Sequence, residues 1–182
     1  VCLFDIAGIT KDKPGGFDMN QKAVDYAADS AVMQTYGRAE IGFVRGEGCW
    51  LESDSGETYL DCASGIAVNT LGHSHPHLVA ALTEQASKLW HTSNLYRIPG
   101  QEIVAKMLAS LSGLDQVFFC NSGAEATEAA VKIARRAAYE KGEPERMTIL
   151  CATGAFHGRT LGMLAATDRP VFRTGFGPMP AG

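Results

Sequence analysis

Phe119-Cys120-Asn121-Ser122-Gly123-Ala124-Glu125-Ala126 is an apolar run that passes through a Ser-Gly turn into a helical pattern. Val117-Phe118-Phe119-Cys120 reads as a buried strand, residues 124–141 as a long helix, and Thr148-Ile149-Leu150-Cys151 as a second buried strand. That order predicts a parallel sheet with a covering helix, the repeating unit of an α/β fold. A helix N-terminus presents unpaired N–H groups and a partial positive charge, so the Ser122-Gly123 turn suits a phosphate lying close to the main chain. Ser122-x-x-Glu125 equally fits a capping box, in which hydroxyl and carboxylate satisfy those N–H groups without a ligand.

A second cluster, Gly154-Ala155-Phe156-His157-Gly158-Arg159-Thr160, follows the second predicted strand. Open α/β sheets bind ligands at the carboxyl ends of their strands, so the two loops are expected to face one crevice. There Phe156 would lie flat on a planar ring and Arg159 would grip a carboxylate with two parallel N–H bonds. The plainer readings are a core phenylalanine, a surface arginine and a structural, hydrogen-bonding His157. A phosphate cradle, a stacking ring and a carboxylate fork together describe a phosphorylated aromatic cofactor that handles amino acids.

Upstream, residues 21–34 have helical composition, and Phe43-Val44, Cys49-Trp50-Leu51 and Thr58-Tyr59-Leu60 are short strand candidates separated by Gly-bearing turns. These predict an antiparallel hairpin or meander. From Pro76 apolar residues recur at helical spacing (Leu78, Leu82, Ala86, Leu89), and again at Ile103, Val104, Met107, Leu108 and Leu111, where Gly113 supplies a helix stop. His73-Ser74-His75-Pro76-His77 has the alternation of metal ligands on a strand, the basis of a metal-hydrolase alternative. Pro76, however, breaks a strand and suits the first position of the following helix.

Of the 182 residues 46% are hydrophobic, with 16 basic against 20 acidic side chains, a balance that argues against a nucleic-acid module. Five scattered cysteines, without a C-x-x-C pair, predict neither a disulfide framework nor a zinc site. No long apolar run predicts a membrane span. Residues 1–20 read as a disordered leader, residues 21–75 as an N-terminal helix and hairpin segment, and residues 76–182 as the first part of a larger domain. A chain opening on Val1 and closing on the loop-like Gly175-Phe176-Gly177-Pro178-Met179-Pro180-Ala181-Gly182 is expected to be a portion of a longer protein, with apolar surface exposed where the rest belongs.

Taken together, residues 36–182 resemble the class III, pyridoxal-phosphate-dependent aminotransferases of fold type I, most closely their acetylornithine group. The resemblance rests on Asp54-Ser55-Gly56-Glu57-Thr58-Tyr59-Leu60-Asp61, on the run from Ser64-Gly65-Ile66-Ala67-Val68-Asn69 to His73-Ser74-His75-Pro76, and on His91-Thr92-Ser93-Asn94-Leu95-Tyr96. It continues through Asn121-Ser122-Gly123-Ala124-Glu125-Ala126, Phe156-His157-Gly158-Arg159-Thr160 and Gly175-Phe176-Gly177-Pro178. It implies that Ser122, Gly123 and Ala124 bind the cofactor phosphate, that Phe156 stacks on the pyridine ring, and that Arg159 binds the substrate α-carboxylate. The ornithine enzymes of this class tend to carry an aromatic residue at the position of Ile66, so Ile66 points to the acetylornithine group.

The implied reaction is a ping-pong transamination from the terminal amine of N-acetylornithine to 2-oxoglutarate, in arginine biosynthesis. Ornithine, another ω-amino acid or a succinylated diaminopimelate precursor is the alternative donor. The resemblance further implies a cytoplasmic or organelle-matrix homodimer when full length, with no metal and neither nucleic acid nor membrane as partner. None of the seven lysines stands in the family's Schiff-base motif, so the chain holds no catalytic residue of that kind, and Lys132 reads as a surface residue of its helix. A catalytically silent homologue acting as an interaction module is the reading from a different class.

Overall fold

The computed structural model describes residues 3–5, 31–33 and 35–181. They divide into two compact units, Val1–Thr92 and Ser93–Gly182.

In the first unit β1 (Leu3–Asp5), β2 (Phe43–Glu47), β3 (Trp50–Ser53) and β4 (Thr58–Asp61) form an antiparallel sheet in the order β1-β4-β3-β2. β2 to β4 are the predicted meander. Its first turn, Gly48-Cys49, separates the paired residues Glu47 and Trp50. The second is closed around Ser53, whose amide donates to Glu57 O at 2.9 Å and whose hydroxyl accepts from Glu57 N at 3.0 Å. β1 falls inside the stretch expected to be a disordered leader; it adds to the otherwise unpaired edge of β4. The helix predicted over 21–34 lies largely outside the described residues, and residues 31–33 are not helical.

After β4 the chain makes a turn of unusual hand, α1 (Ser64–Ala67), in which Ser64, Gly65, Ile66 and Ala67 all have positive φ, between 48° and 67°. α2 (Pro76–Ala86) then starts with proline at its first position, as expected, because the missing N–H is an orphan there in any case.

The second unit opens with α3 (Pro99–Ser112), stopped by Gly113 at φ 72°, and contains α4 (Gly123–Glu140), α5 (Leu161–Ala165) and α6 (Pro170–Arg173). The stripe predicted on α3 is present as a helix face, yet Ile103, Val104, Met107, Leu108 and Leu111 are exposed. α5 packs on α4, with Met163, Leu164 and Thr167 buried. The predicted strands at residues 117–120 and 148–151 are not assigned to any ladder among the described residues. A strand exists only with a hydrogen-bonded neighbour, and neither run meets one here; Phe118 is 66% and Leu150 92% exposed, so neither is the buried strand expected. Among the described residues no helix is long and apolar enough to cross a membrane.

Candidate functional site

Ser122 is the N-cap of the 18-residue α4, in extended conformation at φ −149° and ψ 159°. Its hydroxyl accepts from Glu125 N at 3.2 Å, while Glu125 reaches back to Asn121 N. The capping box is thus present, but shifted: its carboxylate serves the residue before the cap. The amides of Gly123 and Ala124 are left without an internal hydrogen bond among the described residues, two donors aimed out of the positive end of a long helix. Capping and anion binding are therefore not exclusive here, because they use different N–H groups.

Residues 154–160 are fastened to this helix start at three points. Thr127 donates its hydroxyl to His157 O at 2.6 Å. Gly158, at φ 124°, lies so close to α4 that an added Cβ would stand 2.9 Å from the Ala124 Cβ. Thr160 donates to Glu128 Oε1 and caps α5 by accepting from Met163 N. From the other side the fully buried Thr167 receives the amide of His157 at 3.0 Å, and the His157 ring contacts Ala166 O at 2.9 Å. His157 is accordingly a structural histidine, as read from the sequence.

This fastening places Phe156 and Arg159 on the loop beside the Ser122-Gly123-Ala124 turn, so all five residues singled out by sequence belong to one unit. Phe156 is 53% exposed. Its ring meets Phe172 edge-on, with centroids 5.6 Å apart. The Arg159 guanidinium lies over the same Phe172 ring, 4.8 Å from its centroid. Phe172 is not marked in the sequence, because Arg169-Pro170-Val171-Phe172 carries no motif beyond an aromatic two residues after a helix-starting proline. Lys132 is exposed on α4.

The histidine run belongs to the first unit and is structural in its first member. His73 exchanges both backbone hydrogen bonds with Gly48, and its ring is held on both sides, Nδ1 by the Asn69 amide at 2.9 Å and Nε2 by Asp61 Oδ2 at 2.7 Å. With both nitrogens engaged, His73 offers no lone pair to a metal, and His75 is the residue preceding α2. Asp61 also accepts the amides of Ala63 and Ser64 at 2.9 and 2.8 Å. The His73 hydrogen bond first, and the Ser64 amide next, hold the Asp61 carboxyl below the usual carboxylate range against the opposing effect of burial. Together they anchor the left-handed turn that leaves the Ile66 side chain 92% exposed.

The model of the class-III aminotransferases matches residues 32–182. The chain belongs to the class-III aminotransferase family. Its sequence is 58% identical over 153 residues to an acetylornithine aminotransferase of Mesorhizobium japonicum, covering 84% of this chain and 38% of that protein. A second acetylornithine aminotransferase, from Agrobacterium fabrum, is 54% identical over 155 residues, 85% of this chain and 39% of the relative. The chain thus spans under two-fifths of the length of these class-III relatives. Among solved structures, the ornithine aminotransferase of Toxoplasma gondii superposes with a TM-score of 0.79 at 30% identity, over 84% of this chain and 36% of that one. An N-acetylornithine aminotransferase of Stenotrophomonas maltophilia gives 0.62 at 42% identity, over 68% and 34%. The α/β fold class expected from sequence is the one these class-III structures share, and the family is pyridoxal-phosphate dependent.

Proposed function

We propose that this chain is part of a transaminase that moves the terminal amino group of N-acetylornithine to 2-oxoglutarate. The observation that carries the reading is the pair of unpartnered amides at Gly123 and Ala124, tied through Thr127 to the loop bearing Phe156 and Arg159. Pyridoxal phosphate has the two features this arrangement fits, a phosphate and a flat aromatic ring; when bound it supplies the electron sink for transamination. Gly123 and Ala124 hold the phosphate with main-chain N–H groups, and Ser122 presents its hydroxyl beside them. The exposed face of Phe156 covers the ring. Arg159 binds the α-carboxylate of each substrate in turn and orients it, as a planar fork of N–H donors does best.

The donor is argued from relatives named acetylornithine aminotransferase at 54–58% identity and from Ile66, an aliphatic side chain held outward by the left-handed turn. The Toxoplasma ornithine enzyme favours ornithine as the second reading. The lysine of the reaction lies in the portion of the enzyme that this chain does not span. Residues 76–182 are the first part of the cofactor-binding domain, and the full-length enzyme is a cytoplasmic homodimer acting in arginine biosynthesis.

The test is glutamate formation from 2-oxoglutarate by full-length enzyme loaded with pyridoxal phosphate. N-acetylornithine should give the highest kcat/KM of a panel including ornithine and a succinylated diaminopimelate precursor. A higher value for ornithine overturns the donor assignment.

A further inference from the structure

Phe172 touches two of the proposed site residues at once. Its ring receives the Arg159 guanidinium at 4.8 Å from the centroid and meets the Phe156 ring at 5.6 Å with the planes 64° apart. The position is set by the backbone around it. Asp168 N donates to Ala155 O at 3.0 Å, Gly154 N donates to Asp168 Oδ2 at 2.9 Å, and Arg169 Nε donates to Gly154 O at 3.4 Å, so the entry to α6 is pinned to the residues just before Phe156. Pro170 then starts the helix, and Phe172 is half-buried against the loop.

We propose that Phe172 is a positioning residue for carboxylate recognition, holding the Arg159 guanidinium on its ring face while its contact with Phe156 fixes the tilt of the neighbouring ring. A guanidinium stacked on an aromatic face is attracted by the ring quadrupole, yet its N–H donors point outward in its own plane. The contact over the Phe172 face therefore restrains where the Arg159 guanidinium sits. The Phe156 contact is an edge-to-face pair, which resists rotation of either ring. One side chain thereby sets the carboxylate fork and the ring beside it relative to each other. This inference rests on the roles proposed above for Arg159 and Phe156.

The experiment uses full-length enzyme loaded with pyridoxal phosphate and compares Phe172→Leu and Phe172→Met, which remove the π face, with Phe172→Tyr, which keeps it. The ring-less variants should raise KM for both the amino donor and 2-oxoglutarate about three- to ten-fold, the weight of one cation–π contact, with kcat within about two-fold. Phe172→Tyr should stay near the wild-type values. Met supplies the comparison if Leu does not fold. Unchanged KM values in a folded ring-less variant, or a fall in kcat alone, overturn the proposal. Arg159→Ala measured alongside separates the two readings. If it raises both KM values while the ring-less variants do not, the Phe172 assignment alone fails; if it moves neither, the carboxylate role beneath it fails as well.

Discussion

The Thr127 hydroxyl, one turn into α4, donates to the carbonyl of His157 at 2.6 Å, joining the helix that opens at Ser122 to the loop that carries Phe156 and Arg159. The same oxygen lies 2.9 Å from Ala124 O, so the contact sits directly behind the two unpartnered amides. The Ser122-Gly123-Ala124 turn and the loop of Phe156 and Arg159 are therefore a single mechanical piece.

Thr127→Val keeps the shape of the side chain and deletes the donor, leaving His157 O without this partner. The loss should be about 1–3 kcal/mol of stability, read by denaturant unfolding of full-length enzyme. Cofactor affinity and KM for both substrates should worsen together. Thr127→Ser should restore both, because it returns the hydroxyl.

Gly158→Ala places a methyl group 2.9 Å from the Ala124 Cβ at a φ of 124°, where an L side chain is already strained. Overpacking and backbone strain each cost about 1–3 kcal/mol, so the melting temperature of the variant should fall by several degrees. The displaced loop should also weaken cofactor binding, measured by the absorbance of bound pyridoxal phosphate. Gly154→Ala, with nothing within 4 Å of the added carbon but a φ of 73°, should cost only the backbone part.

The Asp61–His73 bond gives the left-handed turn a pH dependence of definite sign. A carboxyl whose pKa is lowered by folding contributes stability that is fully present above its unfolded value and is lost as pH falls through the folded one. The protection of the Ala63 and Ser64 amides against exchange, measured relative to their intrinsic rate at each pH, should therefore be lost only in the acidic range below the usual carboxylate values, since both N–H groups bond to Asp61 Oδ1. In Asp61→Asn that acid-induced loss of protection should vanish, with protection already lower at neutral pH.

Helices α2, α3 and α4 were legible because their signals are local: Pro76, Gly113 and Ser122 each act within a turn of their own position. The meander was legible from Gly-bearing turns between β-rich runs. The turn at Ser64–Ala67 was not, since only Gly65 among its four residues announces a positive φ; Ser64 is held there by its bonds to Asp61 and Asn69, and Ile66 and Ala67 donate their amides to Ala63 O. Residues 117–120 and 148–151 show the converse. Their apolar composition is a correct local signal for a strand, but a ladder is a property of two segments, and composition does not supply the second. Phe172 escaped notice for a related reason, since its meaning comes wholly from Phe156 and Arg159, neighbours in space.

Gly123→Pro asks whether the amides at the start of α4 hold the cofactor phosphate. Proline at the first helical position is tolerated, and Ser122 already has the extended conformation that a following proline requires, so the substitution removes one N–H while sparing the helix. In full-length enzyme of unchanged circular dichroism, the dissociation constant for pyridoxal phosphate should rise at least about ten-fold, the weight of one hydrogen bond to a charged group. A dissociation constant equal to that of the wild type would mean that these amides do not hold the phosphate.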